Sequence, residues 1–325
     1  MANEEQELAI VESILDGTIT SINNSGVTKI GSYAFAECRN LVNAEFPNAG
    51  LVQDGAFLNC LALERVSLPA ATRIYYSAFY SCKLSGIDLP SVLIIDPYAF
   101  QYCNNLSYAS LASVSSIASS AFTNDTSLSF VSAPNLKTLG ESAFYGCSKL
   151  SEFYAPELSS IQRCAFYSCA FSSVNFPKLA AVPSATFGQC SALSAVNLPN
   201  VRSIYDNAFS YAALIECSFP SVTSIGRSAF AFCESLTSIY LPRVSLLGMA
   251  AFTSCYNLIN VNLAGISSVP VLSSYVFSST PIGGYSASAG QYGSVYVPAS
   301  LYDAFLSASY WSDIASRIVS VAEGE

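Results

Sequence analysis

A phenylalanine returns at almost constant intervals along the chain, and this recurrence constrains the fold more than any other feature. It stands at Phe35, Phe57, Phe79, Phe100, Phe122, Phe144, Phe166, Phe187, Phe209, Phe230 and Phe252, always 21 or 22 residues after the last. A twelfth, Phe277, follows after 25. The residue before it is Ala in ten of the twelve cases, Thr186 and Val276 being the exceptions. "GSYAFAECRNL" at 31–41 and "GESAFYGCSKL" at 140–150 show the motif. A fixed period of this length is the mark of a repeat array, so 325 residues do not imply two or three ordinary domains.

Two further apolar columns keep step with the phenylalanines. Segments such as "LVNAEF" at 41, "LSYASL" at 106 and "LINVNL" at 258 have the form apolar-x-x-apolar-x-apolar. The alternation suits a short strand with one inward face, and the Pro that usually follows ends its ladder. Five residues before each Phe stands Ile, Val or Leu, from Ile30 to Leu247. A single unit cannot bury so many apolar side chains, but stacked units cover one another. The expected fold is therefore a solenoid of about eleven coils with parallel strands ~4.8 Å apart, on the order of 50 Å long, with the Phe column as its spine.

Nine of the eleven cysteines lie three residues after a column Phe: Cys38, Cys60, Cys82, Cys103, Cys147, Cys169, Cys190, Cys233 and Cys255. Asp125 and Ala212 interrupt this column, leaving runs of four, three and two. A run of three cannot pair completely. Parallel side chains one strand spacing apart are also wider than the ~3.5–4.5 Å Cβ separation a disulfide prefers. These residues read as reduced, buried fillers, with Cys217 inward on a strand and Cys164 more exposed.

The ends differ from the array. Residues 4–16 place Leu8, Val11 and Leu15 on one helical face behind three Glu, so residues 1–19 are expected to form a helical cap. Residues 20–280 form the solenoid, with "TITSINNSGVTKIG" as an atypical first coil. Residues 281–325 form a C-terminal cap: a Gly/Ser loop, then strand, helix and final strand, with Leu301, Ala304, Phe305 and Trp311 covering the last coil.

Composition excludes several functions. The chain has no histidine, which removes Ser-His-Asp and Cys-His nucleophiles and every His-ligated metal. No CxxC occurs, so neither a metal site nor a cofactor is expected. The net charge is −9, with 13 scattered Lys and Arg, which opposes binding to nucleic acid or an anionic membrane. No apolar run approaches the ~18 residues of a membrane span. The repeat pattern implies no oligomeric state.

The unit "IGxxAFxxCxxLxxVxLPxV" resembles the BspA-type leucine-rich repeat family of bacterial surface proteins over about residues 20–280, and the segment "YVPASLYDAFLSASYWSDIASRIVSV" resembles the one that closes such proteins. The resemblance implies a leucine-rich repeat fold without enzymatic activity, in an extracellular or cell-surface adhesin for host matrix proteins or other bacteria. Similar arrays resemble accessory proteins encoded near phage tail genes. The N-terminus lacks a basic head and apolar signal core, and no wall anchor is visible, which keeps a phage-particle role as the alternative.

Outward strand positions are the expected binding face for a protein or a glycan. Tyr108 and Phe130 fall in one column of neighbouring coils, with Glu152 and Tyr154 a coil further on, and exposed aromatics beside polar groups can serve as anchors. The opposing reading is that aromatics along a ladder simply stabilise one another, by about 0.2–1 kcal/mol. A second tyrosine group, Tyr80, Tyr102, Tyr145, Tyr167 and Tyr211, roofs the opposite flank. A glycosidase needs two carboxylates at one cleft. Glu152 and Glu216 lie three coils apart, and Glu45 and Glu64 sit on an open face.

Overall fold

The computed structural model describes residues 17–284 and 290–322. The helical cap expected before residue 17 lies outside the described residues. The chain falls into two compact units, one running to Glu157 and the other starting at Leu158.

In the first unit the coils present three backbone ladders to one another, with one lapse in the strand ladder after Arg65–Ser67. The apolar-x-apolar segments form short parallel strands, Ser21–Asn23, Asn43–Glu45 and Arg65–Ser67 in one sheet. Ile87–Asp88, Tyr108–Ser110, Phe130–Ser132 and Glu152–Tyr154 form another. Two-residue strands, beginning with Lys29–Ile30 and Leu51–Val52, make a second parallel ladder. Its inward residues Ile30, Val52, Ile74, Ile95, Ile117 and Leu139 are all buried.

The third ladder runs through the Ala-Phe corner. Tyr33 N–H donates to the Asp54 carbonyl (2.9 Å), Phe35 N–H to Ala56 (2.8 Å) and Glu37 N–H to Leu58 (2.7 Å). Residues two before and two after each Phe have positive φ, for example Tyr33 (59°), Glu37 (61°), Ser77 (49°) and Ser81 (57°). This left-handed alternation turns every other N–H toward the neighbouring coil. Gly fills such a position only at Gly55 and Gly146 in this unit; Ser, Asn, Tyr and Glu fill the others at a conformational cost of roughly 1 kcal/mol each.

The phenylalanines stack face to face inside the corner. From Phe35 through Phe57, Phe79, Phe100 and Phe122 to Phe144, ring centroids lie 5.0–5.2 Å apart with planes within 10°. Burial of each contributes about 1.5–3 kcal/mol. Ala at the preceding position is fully buried from Ala56 to Ala143, where the tight corner leaves no room for more, and exposed only at Ala34 on the first coil of the column.

The cysteine column is buried and unbridged at Cys38, Cys60, Cys82, Cys103 and Cys147. These residues do more than fill space. Cys60 Sγ donates to the Phe35 carbonyl at 2.9 Å, Cys82 to Phe57 at 3.0 Å, Cys103 to Phe79 at 3.1 Å and Cys147 to Phe122 at 3.0 Å. Each thiol thus serves a carbonyl of the preceding coil, a weak but regularly repeated bond.

The second unit repeats this plan. Strands Ser173–Asn175 and Ala195–Asn197 pair in parallel, as do Glu216–Ser218, Ser238–Tyr240, Asn260–Asn262, Ser294–Pro298 and Ile318–Val321. Rings from Phe166 through Phe187, Phe209, Phe230 and Phe252 to Phe277 stack at 5.3–5.8 Å. Cys190, Cys233 and Cys255 donate to the carbonyls of Phe166, Phe209 and Phe230. Cys217 is buried on its strand and Cys164 is partly exposed.

The ladders extend beyond eleven coils. The "TITSINN" segment is a regular rung, since Ser21–Asn23 pairs residue for residue with Asn43–Glu45. At the other end Ser294–Pro298 continues the ladder from Asn260–Asn262 and leads through the helix Tyr302–Ser307 to Ile318–Val321. Phe305 and Trp311 close this end, fully buried with rings 4.8 Å apart, and Trp311 Nε1 donates to the Pro270 carbonyl at 2.8 Å. Ala304 is exposed and Leu301 only half-buried, because a helix of six residues turns just one narrow face inward.

Candidate functional site

Parallel pairing puts every outward side chain of a strand beside its equivalent one coil away. In the first unit one outward column reads Ser21, Asn43, Arg65, Gly86, Tyr108, Phe130, Glu152, and the other reads Asn23, Glu45, Ser67, Asp88, Ser110, Ser132, Tyr154. Tyr108, Phe130 and Glu152 are therefore consecutive in one column. Tyr154 belongs to the other, opposite Ser132, so the four predicted residues form a bent row on one face. The three aromatics are 47 %, 38 % and 57 % exposed, in that order.

The N-terminal half of this face is polar and linked from coil to coil. Asn23 Nδ2 donates to Glu45 Oε2 at 2.6 Å, and Arg65 Nε to Asn43 Oδ1 at 2.8 Å. Beside it Lys83 Nζ pairs with Glu64 at 2.8 Å, and that bond holds the Glu64 carboxyl below the usual range. The ladder lapses between Arg65–Ser67 and Ile87–Asp88. Across the lapse lies a cavity of about 500 Å³, bounded by Asn43, Glu45, Arg65, Asp88, Gly86 and Tyr108.

Gly86 shapes that cavity. A Cβ there would collide with Cε1 and Cζ of Tyr108 and would lie 2.7 Å from its Cδ1. The Tyr108 ring therefore occupies the place of the missing side chain. Apolar periodicity does not single out Gly86; a lone Gly inside "LSGIDL" is the signal that marks a close approach.

The second unit has a face of different character. Asn197 Nδ2 donates to Asn175 Oδ1 at 2.9 Å, an amide rung between coils. Further along, a cavity of about 420 Å³ is lined by Glu216, Ser238, Tyr240, Asn260 and Asn262. The opposite flank carries the predicted tyrosines, Tyr80 and Tyr102 meeting edge to face at 5.5 Å and Tyr211 stacking on Phe232 at 4.6 Å.

Glu45 and Glu64 are engaged by Asn23 and Lys83. Asp125, whose carboxyl burial pushes well above the usual range, is completely enclosed and away from both faces. Among the described residues no cluster of three or more Cys, Asp or Glu could hold a metal ion, and no helix is long and apolar enough to cross a membrane.

The sequence model of the BspA type leucine rich repeat region matches residues 16–73, 28–151, 115–225 and 159–283. The chain belongs to the BspA-type leucine-rich repeat family. As a BspA-type protein it is similar to a leucine-rich repeat protein from Bacteroides ovatus, with 20 % identity, a TM-score of 0.57, and 94 % of this chain and 91 % of that one covered. A leucine rich cell surface protein from Faecalibacterium prausnitzii aligns at 21 % identity and a TM-score of 0.47, over 94 % of this chain and 86 % of that one. The pneumococcal vaccine antigen PcpA aligns at 15 % identity and a TM-score of 0.46, over 91 % and 84 %. The Bacteroides structure shows a shared fold. No curated protein resembles this BspA-type chain closely enough in sequence to be called a relative.

Proposed function

We propose that this BspA-type chain is a non-catalytic binding protein of the bacterial surface, which presents its strand face to a protein or glycan in the manner of an adhesin. The row of Tyr108, Phe130 and Tyr154 carries this reading. Three large rings stand exposed on a backbone whose hydrogen bonds are already used in the ladders, so they are pre-positioned and lose little freedom on binding. Glu152 closes the row with a charge that can orient a partner. Family membership supports surface display, and the absence of histidine supports a role without catalysis.

The test is capture by immobilised protein from host matrix proteins, mucin glycans and bacterial surface extracts. A variant with Tyr108, Phe130 and Tyr154 all replaced by Ser should fold normally and lose the partner. Retention of the partner by that variant would refute this face as the contact. Hydrolase turnover abolished by Glu45→Gln and Glu64→Gln would overturn the non-catalytic reading.

A further inference from the structure

We propose that the cavity bounded by Arg65, Asp88 and Tyr108 binds a neutral oligosaccharide, with one sugar ring against Tyr108 and adjacent hydroxyls shared between the Arg65 guanidinium and the Asp88 carboxylate. The proposal rests on the reading of the strand face as a binding surface, and it names the ligand class for one end of that face.

Three observations converge on it. The first is shape. At about 500 Å³ the cavity falls within the ~300–1,000 Å³ of small-ligand sites, whereas a protein epitope needs no concavity of this kind. It opens where the strand ladder lapses, so its walls come from two sheets and not from one flat surface.

The second is lining. Small-ligand sites are mostly apolar. Here Ala44, Val66 and the Tyr108 ring are outnumbered by Asn43, Glu45, Arg65, Asp88 and three serine hydroxyls. An apolar ligand would strip water from these groups without replacing its hydrogen bonds. A ligand dense in hydroxyls replaces them. Charges of both signs face the cavity, which favours a ligand without net charge of its own, and a carboxylated sugar would meet Glu45 and Asp88.

The third is unused bonding capacity on pre-positioned groups. Arg65 spends only Nε, on Asn43, which fixes the guanidinium and leaves its terminal nitrogens to donate. The Asp88 carboxylate and the Tyr108 hydroxyl make no hydrogen bond to another described residue. A guanidinium and a carboxylate on neighbouring coils can take adjacent hydroxyls, one donating and the other accepting. Tyr108 lies over Gly86 and is half exposed, so one side rests on the backbone and the rest of the ring is available for stacking against C–H groups. A peptide is the weaker fit. The two strand edges left by the lapse, Arg65–Ser67 and Ile87–Asp88, face each other one coil apart, held there by Ser85 N–H donating to the Glu64 carbonyl at 3.1 Å, so no extended chain fits between them.

The experiment is saturation-transfer-difference NMR of the intact protein with maltotriose, cellotriose, triacetylchitotriose and lacto-N-tetraose, each at millimolar concentration. At least one should receive saturation. Tyr108→Ser and Asp88→Asn should each weaken its affinity about tenfold, as expected for loss of a bond to a charged group or its equivalent. Gly86→Ala should do the same by displacing the ring, with the far-ultraviolet spectrum unchanged. Tyr205→Ser, at an exposed tyrosine of the second unit that does not line the cavity, should leave the signal intact. No transfer to any of the four sugars would overturn the proposal, as would a signal indifferent to Tyr108→Ser and Asp88→Asn. If a protein partner is captured and lost with the aromatic row while the sugars stay silent, the strand-face reading stands and this proposal alone fails.

Discussion

The backbone N–H of Cys103 donates to Oδ1 of Asp125 at 2.7 Å. Asp125 occupies the rung of the cysteine column above Phe100, where a thiol would donate to the Phe100 carbonyl. Its Oδ2 is buried with no partner among the described residues. An ionised carboxylate cannot donate, so only the protonated acid can complete this rung. Burial raises its pKa, and the facing titratable groups, the thiols of Cys103 and Cys147, are themselves raised and stay neutral.

The pH dependence follows from that sign. The unfolded Asp titrates near ~3.9, the folded one well above it. Its stabilising contribution is therefore complete below the unfolded pKa and is lost as pH rises towards the folded pKa. Urea denaturation from pH 4 upward should show this loss. Asp125→Asn keeps an acceptor for Cys103, supplies an N–H donor at every pH, and should flatten the slope while adding on the order of 1–3 kcal/mol near neutrality. An unchanged slope in the variant would rule out Asp125 as its source.

The aromatic stack should be costly to interrupt. Phe100 lies between Phe79 and Phe122 at 5.2 and 5.0 Å and is wholly buried. Phe100→Ala should cost about 3–5 kcal/mol, because backbone ladders on three sides keep the coil from collapsing into the void. Chemical denaturation measures this directly.

Left-handed residues offer the opposite effect. Ser81 (57°) and Ser120 (55°) occupy corner positions where Gly55 and Gly146 show what the backbone prefers. Ser81→Gly and Ser120→Gly should each stabilise by about 0.5–1 kcal/mol, the relief of strain exceeding the added entropy of the unfolded chain. A lower melting temperature in both would contradict the corner geometry.

Thiol chemistry checks the cysteine column. Burial pushes the Cys190 and Cys217 thiols up to about 12 and that of Cys38 up to about 11, so they are protonated and unreactive at neutral pH. Ten cysteines are buried and Cys164 is partly exposed. A thiol reagent should modify Cys164 alone in the folded protein and all eleven sulfurs in denaturant without reductant.

Apolar periodicity made the coil length, the Phe stack, the strands and the burial of Cys217 legible, because a column repeated at 21–22 residues leaves only stacking as a way to bury it. The corner ladder was not legible. Its left-handed positions carry Tyr33, Ser77, Asn124 and Ala185 as readily as Gly, so no residue type announces them. The thiol bonds were half legible: Cys60 is recognisable as small and buried, but its partner Phe35 stands 25 positions earlier and emerges only once the coils are registered. On the strand face, Tyr108 and Phe130 are neighbours by spacing alone. Tyr154 changes column because it is the last outward residue of its strand, while Tyr108 and Phe130 are the first of theirs.

Corner N–H groups and thiols alike reach only the adjoining winding: Phe35 to Ala56, Cys60 back to Phe35. Among the described residues none skips a neighbour. Excising one complete period would rejoin every donor to an equivalent acceptor, whereas excising a single residue would orphan donors along three sides together. Evolution can therefore lengthen or shorten such a molecule by duplication and loss of whole periods, changing its reach while its interior chemistry stays constant.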